Sequence, residues 1–260
     1  MTGDPVRCEV AGAVATITMD RPEARNRLDA EGMTALAGHL ESTAADPQVR
    51  VVVLTGSGST FCAGADLAGA AAGGADGFSG LGPEALVRVL TLMLDHPKPL
   101  VARVQGHVAG GGNGLVAACD IAVASSDARF AFSEVRLGVA PAVISVVCLQ
   151  VMHRRDAQEL LLTGERVDAD RALRAGLLTA VVPADGLDSA VSGYVRSLLE
   201  GGPAALSHAK DLLRRVPGLD RTEAFSMTAR LSAALFASHE AQEGMSAFLD
   251  KRRPAWSPGS

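Results

Sequence analysis

The stretch GHVAGGGNGLVAACD, residues 106–120, places three consecutive glycines and then Gly114 between a β-like run and a helix-like run. Glycine destabilises a helix interior by about 0.5–1 kcal/mol relative to alanine, so this many at one helix start need a reason. A second strand end opens into a similar loop, TGSGSTFCAGAD, residues 55–66. Glycine lets a backbone approach a ligand closely, and a helix N-terminus offers unpaired N–H groups and the positive end of its dipole. The two loops therefore predict a small pocket for an anion, formed by backbone.

Three ligands suit such a pocket: a phosphate, a dinucleotide, or an oxyanion formed during a reaction. A phosphate-binding P-loop is excluded because no Gly-Lys-Ser/Thr closes either loop. The Gly-x-Gly spacing at Gly110, Gly112 and Gly114 indicates a dinucleotide site only weakly. Glycines that serve only close helix–strand packing are a further alternative. An oxyanion needs two converging N–H groups, which two loops can supply.

Composition limits the class of protein. The chain has 260 residues, of which 48% are hydrophobic, enough for a full core in one large domain or in a domain with an appendage. The net charge is −5 and only 3% of the residues are aromatic, without a basic stripe, so nucleic acid is not an expected partner.

The cysteines and the apolar runs indicate the compartment. The four cysteines form no Cys-x-x-Cys pair and have no metal-ligand spacing with histidine, which predicts free thiols in a reducing compartment and no metal site. No apolar run reaches the roughly 18 residues that a membrane span needs. The N-terminal MTGDPVRCEV lacks the pattern of a signal peptide. We expect a soluble cytoplasmic protein without a membrane partner.

The hydrophobic pattern predicts an α/β fold. Alternating residues predict a β-hairpin over 8–20, and Asp29 is placed to cap the helix that follows. Nearly all residues of 69–82 are alanine, glycine or serine, which predicts a mobile segment. After Ala142 the chain is predicted to be mainly helical, with a brief strand over 178–183 and three final amphipathic segments. Further buried strands are predicted over 49–56, 100–106, 121–126 and 128–132.

Several motifs in order resemble one family. FCAGADL (61–67) and GHVAGGGNGLVAACDIAVAS (106–125) are similar to the two signatures of the crotonase superfamily, the enoyl-CoA hydratases and isomerases. The resemblance implies a spiral of ββα units over 1–200, and a helical trimerisation region over 201–260. Family members form trimers, often paired into hexamers. Three further segments also resemble the family: MDRPEARNRLD (19–29), ARFAFSEVRLGVAPAVIS (128–145) and EGMSAFLDKRRPAW (243–256).

The resemblance also implies a site. The thioester carbonyl of an acyl-CoA enters an oxyanion hole formed by the backbone N–H groups of Ala65 and Gly111. No other cofactor is expected, because coenzyme A is part of the substrate. The remaining candidate substrate-binding residues are Arg25, Ala63, Asp66, Gly112, Gly114, Phe248 and Lys251.

One carboxylate of the family pattern is missing. Hydratases of the family resemble one another in using two glutamates; the second matches Glu134, whereas the first matches Gly114. A single glutamate can still move a proton between two carbons of an allylic system, or can hydrate slowly. Candidate substitutes for the missing group are His107, Glu84 and Asp66. Residues 142–144, where many members carry glycines, are expected to alter the wall near the acyl tail.

The sequence thus predicts an enoyl-CoA hydratase/isomerase-type enzyme that uses one glutamate as its acid–base group. Two alternatives stay open: a pure 3-enoyl to 2-enoyl-CoA isomerase, and an acyl-CoA-binding protein without turnover.

Overall fold

The computed structural model describes residues 4–65 and 83–257, and within these ranges ten strands form two sheets. The larger sheet has the order β1 (Val6–Ala11), β2 (Val14–Met19), β3 (Val51–Gly56), β5 (Leu100–Val104), β7 (Ile121–Ser125) and β10 (Ala180–Val182). The smaller sheet has the order β4 (Thr60–Cys62), β6 (His107–Ala109), β8 (Arg129–Ala131) and β9 (Arg166–Asp168).

The N-terminal hairpin and the first helix form where the sequence predicts them. β1 and β2 pair antiparallel around Gly12, with Val6 opposite Met19. The helix α1 (Ala30–Ala45) then begins after Asp29, whose side chain accepts a hydrogen bond from the Gly32 N–H at 2.8 Å. This bond satisfies one of the N–H groups that have no partner within a helix.

From β3 to β8 successive strands alternate between the two sheets, which produces the predicted ββα units. In each unit the first strand lies in the larger sheet, the second lies in the smaller sheet, and a helix follows. The units are β3 and β4 with α2 (Pro83–Asp95), β5 and β6 with α3 (Gly111–Ala118), and β7 and β8 with α4 (Ala142–Val151). Parallel pairing joins β2 through β10 in the larger sheet and β4, β6 and β8 in the smaller one. Equivalent strand ends therefore meet at one edge, and the two glycine loops follow neighbouring strands there.

Both faces of the larger sheet are buried, as expected for parallel strands. On one face Val51, Val101 and Val123 pack with residues of α7 (Leu187–Leu199). Two shorter helices, α5 (Arg154–Thr163) and α6 (Ala169–Arg174), precede α7 in the chain. On the other face Leu54 and Ala102 join the main core. The alternation follows from the two-residue period of side chains along a strand.

Within the described residues four α-helices follow the last strand, one more than the three amphipathic segments that the sequence predicts. After α7 these are α8 (Pro203–Arg215), α9 (Arg221–Phe236) and α10 (His239–Leu249). The guanidinium of the half-buried Arg50 donates to the carbonyls of Gly201 and Trp256, which ties the connection between α7 and α8 and the chain after α10 to the start of β3. The division of the chain at residue 200 stays a prediction.

Three strands were not predicted: β4, β6 and β9. Each has three residues and, unlike the equally short β8 and β10, does not lie within a longer apolar or alternating run. The predicted mobile segment 69–82 and the candidate Asp66 lie outside the described residues. In the part of the chain that is described, no helix has the length and apolar character needed to cross a membrane.

Candidate active site

The two glycine loops touch at the ends of β4 and β6. Gly64 has a φ of +84°, and a Cβ on it would lie 2.9 Å from the carbonyl oxygen of Ala109 and 3.4 Å from the Cα of Gly110. Such distances leave no space for a side chain. Glycine is therefore required at position 64 both by its backbone angle and by the close approach of the other loop.

The N–H groups of Ala65 and Gly111 lie in these two loops. Leu28 forms a parallel bridge with Ala65 by donating its N–H to the carbonyl of Gly64 at 2.8 Å. In such a bridge the residue that follows the accepting carbonyl directs its own N–H away from the neighbouring strand. Ala65 follows Gly64, so the Ala65 N–H points away from Leu28. Gly111 is the first residue of α3, where an N–H has no partner within the helix.

A buried asparagine holds the Gly111 loop in place. The Nδ2 atom of Asn113 donates to the carbonyl of Ala131 at 2.9 Å and to that of Gly110 at 3.3 Å. The Gly110 N–H also donates to the Ala131 carbonyl, at 3.1 Å. The turn before α3 is thus fixed to the end of β8, three residues before Glu134. Asn113 is not predictable as a site residue, because a lone asparagine inside a glycine motif carries no periodic signal.

A cavity of about 290 Å³ opens beside these groups. Most of the residues that line it are glycines or apolar, and Glu134 is the one ionisable group among those described. Leu28 and Leu86 cover Gly111, where a Cβ would lie 2.6 Å and 3.4 Å from their methyl groups. The described lining is Leu28, Ala63, Gly64, Ala65, Pro83, Leu86, Gly110, Gly111, Ser133, Glu134, Leu137, Val139, Ala140, Pro141, Ala142, Val143 and Ile144.

Glu134 presents its carboxylate next to the glycine turn. It lies on a 3-10 helix, Ser133–Leu137, and its Oε1 atom is 3.6 Å from the position that a Cβ on Gly110 would take. Its Oε2 atom is buried and has no hydrogen-bond partner within the described chain. Burial raises the pKa of this carboxyl above its usual range, and a hydrogen bond from its own backbone N–H offsets part of the rise.

Ile144 occupies the place of the missing carboxylate. A Cβ on Gly114 would lie 2.6 Å from Cγ2 of Ile144 and 3.1 Å from its Cβ. The side chain of Ile144 therefore fills the space into which a residue at position 114 would point. As predicted, residues 142–144 form part of the cavity wall.

The other candidate residues are placed in three ways. The carbonyl of Arg25 accepts a hydrogen bond from the N–H of Ala63, a residue of the lining, at 3.0 Å, whereas Arg25 itself is not among the described lining residues. Gly112 is turned to the core, where a Cβ would lie 2.9 Å from Cys62, so Gly112 serves helix–strand packing. Phe248 and Lys251, near the C-terminus, are exposed and do not belong to the described lining.

Of the three proposed substitutes for a second carboxylate, His107 and Glu84 do not line the cavity, and Asp66 lies outside the described residues. His107 is exposed on β6, and Glu84 is exposed in the first turn of α2. Neither lines the cavity, although Pro83 and Leu86 beside Glu84 do. Among the described residues, no group of three or more acidic, histidine or cysteine side chains could hold a metal ion.

Comparison with known proteins identifies the family. The sequence model described as enoyl-CoA hydratase/isomerase matches residues 9–259. The chain belongs to this family. The enoyl-CoA hydratase/isomerase family assignment also agrees with the fold: a crystal structure of an enoyl-CoA hydratase from Shewanella pealeana superposes with a TM-score of 0.90, at 32% identity, covering 97% of this chain and 96% of the other.

Two relatives show the breadth of the family. A protein of Thermus thermophilus with a provisional name as an enoyl-CoA hydratase is 34% identical over 250 residues, covering 94% of this chain and 97% of its own. A carnitinyl-CoA dehydratase of Citrobacter koseri is 33% identical over 258 residues, covering 94% and 95%. The chain is thus an enzyme of the enoyl-CoA hydratase type with a crotonase fold, as the resemblance implied.

Proposed function

We propose that this enzyme binds an enoyl-CoA thioester in the cavity and moves a proton to or from the acyl chain with Glu134. The observation that carries the proposal is the position of the Glu134 carboxylate beside Gly110, at the turn that presents the Gly111 N–H. In the proposal, the N–H groups of Ala65 and Gly111 donate to the thioester oxygen. No further cofactor is required, because the thioester itself stabilises the carbanion.

The chemistry explains why backbone donors and one carboxylate suffice. Removal of a proton from the carbon next to the thioester places negative charge on its oxygen. Each preorganised donor at that oxygen is worth about 10²–10³ in rate. Glu134 in its carboxylate form accepts the proton, and a positioned acid–base group contributes about 10²–10⁴.

A double-bond shift is the reaction that the described cavity supports most directly. In a 3-enoyl thioester, Glu134 takes a proton from C2, the oxyanion hole holds the resulting dienolate, and the protonated Glu134 returns the proton to C4. The double bond moves from C3–C4 to C2–C3 and no atom is gained or lost. Hydration, the reaction in the names of several relatives, requires a water held beside Glu134 as well. The position of Ile144 favours a second candidate function that is narrower than the first, a pure 3-enoyl to 2-enoyl-CoA isomerase.

The coenzyme A portion is proposed to lie beside Arg25 and Ala63. Phe248 and Lys251 would reach it only from a rearranged C-terminal segment or from a neighbouring copy of the chain. Exposed apolar side chains on α8–α10 support association between copies: Leu213, Phe225, Phe236, Phe248 and Leu249 are each at least 65% exposed. We therefore keep a homotrimer or hexamer as a prediction, which light scattering of the native protein checks by its mass. Cytoplasmic location also stays a prediction.

Separate assays with a trans-2-enoyl-CoA and a 3-enoyl-CoA test the proposed function. Conversion of the 3-enoyl substrate at unchanged mass is the expected main reaction, and a product heavier by one water from the 2-enoyl substrate would show hydration. The acyl chain should be varied from short to long and from linear to branched, since the wall at residues 142–144 is expected to set this preference. Binding of these thioesters without any product would instead support the acyl-CoA-binding protein.

The pH dependence of the reaction tests the state of Glu134. Because burial raises its pKa, the carboxylate that accepts a proton forms at a higher pH than in an ordinary glutamate. We expect kcat/KM to rise with pH through this raised pKa and to be lost below it. A profile whose acid limb lies at or below the ordinary glutamate value would contradict this assignment.

A further inference from the structure

The contact between α3 and α4 differs from ordinary helix packing at one point. Gly114 is fully buried, and a Cβ on it would lie within 2.6 Å of Cγ2 of Ile144, closer than real Cβ contacts. The Cα of Ile144 would be 3.7 Å away, which is an ordinary contact. The side chain of Ile144, and not the path of the α4 backbone, therefore denies space to a side chain at position 114.

Ile144 closes this space on the side of the cavity. It is 3% exposed, and it lines the same cavity as Glu134. Its neighbours in the wall, Ala142 and Val143, are also apolar, as is Val139. Glu134 thus shares its cavity with a hydrocarbon wall, and the side chain of Ile144 in that wall fills the space into which a carboxylate at position 114 would project.

This wall bears on which reaction one carboxylate performs. An ordered water in a protein needs two to four polar partners, roughly, and a site that lacks them stays dry. Among the described lining, Glu134 and Ser133 are the residues with polar side chains. A proton shift between C2 and C4 needs only the carboxylate, whereas addition of water to C3 needs a water that is held, oriented and deprotonated there.

We propose that Ile144 is a specificity-determining residue, which excludes both a second carboxylate and the nucleophilic water and so directs Glu134 to double-bond isomerisation instead of hydration. The inference rests on the proposed function of the same cavity. It adds a residue of the cavity wall that determines the reaction, and it gives a physical reason for the glycine at position 114. Gly114 and Ile144 form one steric unit, in which a larger side chain fits at either position only if the other side chain is smaller.

Thermal unfolding tests the steric unit without any substrate. Gly114→Ala alone should lower the Tm by roughly 4–8 °C, because overpacking a core is destabilising and a chain of this size loses a few degrees per kcal/mol. With Ile144→Gly present, the same Gly114→Ala change should cost almost nothing or raise the Tm. Equal Tm changes in the two backgrounds would show that Ile144 does not exclude a side chain at position 114, which would overturn the proposal.

The ratio of hydration to isomerisation tests the second part of the proposal, that Ile144 directs Glu134 to isomerisation. Wild type, Ile144→Ala, and Gly114→Glu combined with Ile144→Gly are each given 2-enoyl-CoA and 3-enoyl-CoA, and the products are identified by mass. Ile144→Ala should raise the ratio of hydration to isomerisation about tenfold by admitting water. The double variant should raise it by about 10²-fold or more, since it adds an acid–base group beside Glu134.

Two controls separate the proposal from general loosening of the core. Val147→Ala removes a buried aliphatic group from α4, one turn beyond Ile144 and outside the described lining, and should leave the ratio unchanged. The variant with Gly114→Gln and Ile144→Gly has nearly the shape of the variant with Gly114→Glu and Ile144→Gly but lacks the second carboxylate. Its ratio of hydration to isomerisation should therefore not reach that of the glutamate variant. If the wild type is active and the ratio of hydration to isomerisation is the same in it and in all variants, the role of Ile144 is overturned and the proposed function still stands. Absence of turnover in every protein, with both thioesters, would overturn the proposed function and this inference with it.

Discussion

Glu134→Gln is expected to lower kcat by about 10²–10⁴-fold while acyl-CoA binding changes little. Glutamine has nearly the shape of glutamate but cannot accept the proton. The cavity, the glycine turn beside Oε1 and the proposed oxyanion donors all remain. Single-turnover assays and acyl-CoA titration of the variant measure the two effects separately.

The stability of the same variant is expected to change in the opposite direction from its activity. Burial raises the pKa of Glu134, so the folded state disfavours the carboxylate relative to the unfolded chain. This unfavourable contribution is absent at a pH below the unfolded pKa and complete above the raised folded pKa. Glu134→Gln should therefore have a Tm equal to or higher than that of wild type at neutral pH, and the difference should shrink as the pH falls through that window.

Glu84 provides the matched control. It is an exposed acid at the start of α2, next to residues that line the cavity, and it is one of the alternative carboxylates that the sequence suggests. Glu84→Gln should retain nearly full turnover. The assignment of Glu134 fails if Glu84→Gln is the more damaging substitution, or if Glu134→Gln keeps wild-type turnover with both thioesters.

The sequence predicts the parts of this site that depend on local chain geometry. Glycines at a helix start predicted a backbone pocket for an anion, the family resemblance assigned its donors to Ala65 and Gly111, and the structure brings the two loops into contact at Gly64 and Gly110. Glu134 was located by its place in a motif, and the structure puts its carboxylate at that same turn. These features depend on short stretches in which residue type and backbone conformation are directly linked.

The parts that could not be predicted depend on contacts between distant segments. Ile144 fills the space at Gly114 although thirty positions separate them, and no periodic pattern encodes that pairing. Leu28 covers Gly111 from the segment 19–29, and nothing in the pattern of that segment predicts this contact. Sequence periodicity indicates that a residue is buried, but not which residue it meets. The packing of the two helices, and with it the apolar wall beside Glu134, needed coordinates.

Gly64→Ala is expected to reduce kcat by about 10²–10³-fold, through the loss of one oxyanion donor. The new Cβ would lie 2.9 Å from the Ala109 oxygen and 3.3 Å from its carbonyl carbon, so the loops that carry Ala65 and Gly111 must move apart. Their N–H groups would no longer converge on one oxygen. Because that oxygen gains charge in the transition state, kcat should fall more than acyl-CoA affinity.

Gly12→Ala separates this effect from simple destabilisation of the fold. Gly12 also has a positive φ, +58° against +84° at Gly64, but a Cβ on Gly12 would meet nothing within 4 Å. Both alanines carry the cost of a left-handed backbone angle, about 1–2 kcal/mol, and both should lower the Tm. Only Gly64→Ala should lose turnover in assays run well below either Tm. If the two variants are equally active, the contact between the glycine loops does not position the donors, and the oxyanion must be stabilised by other groups.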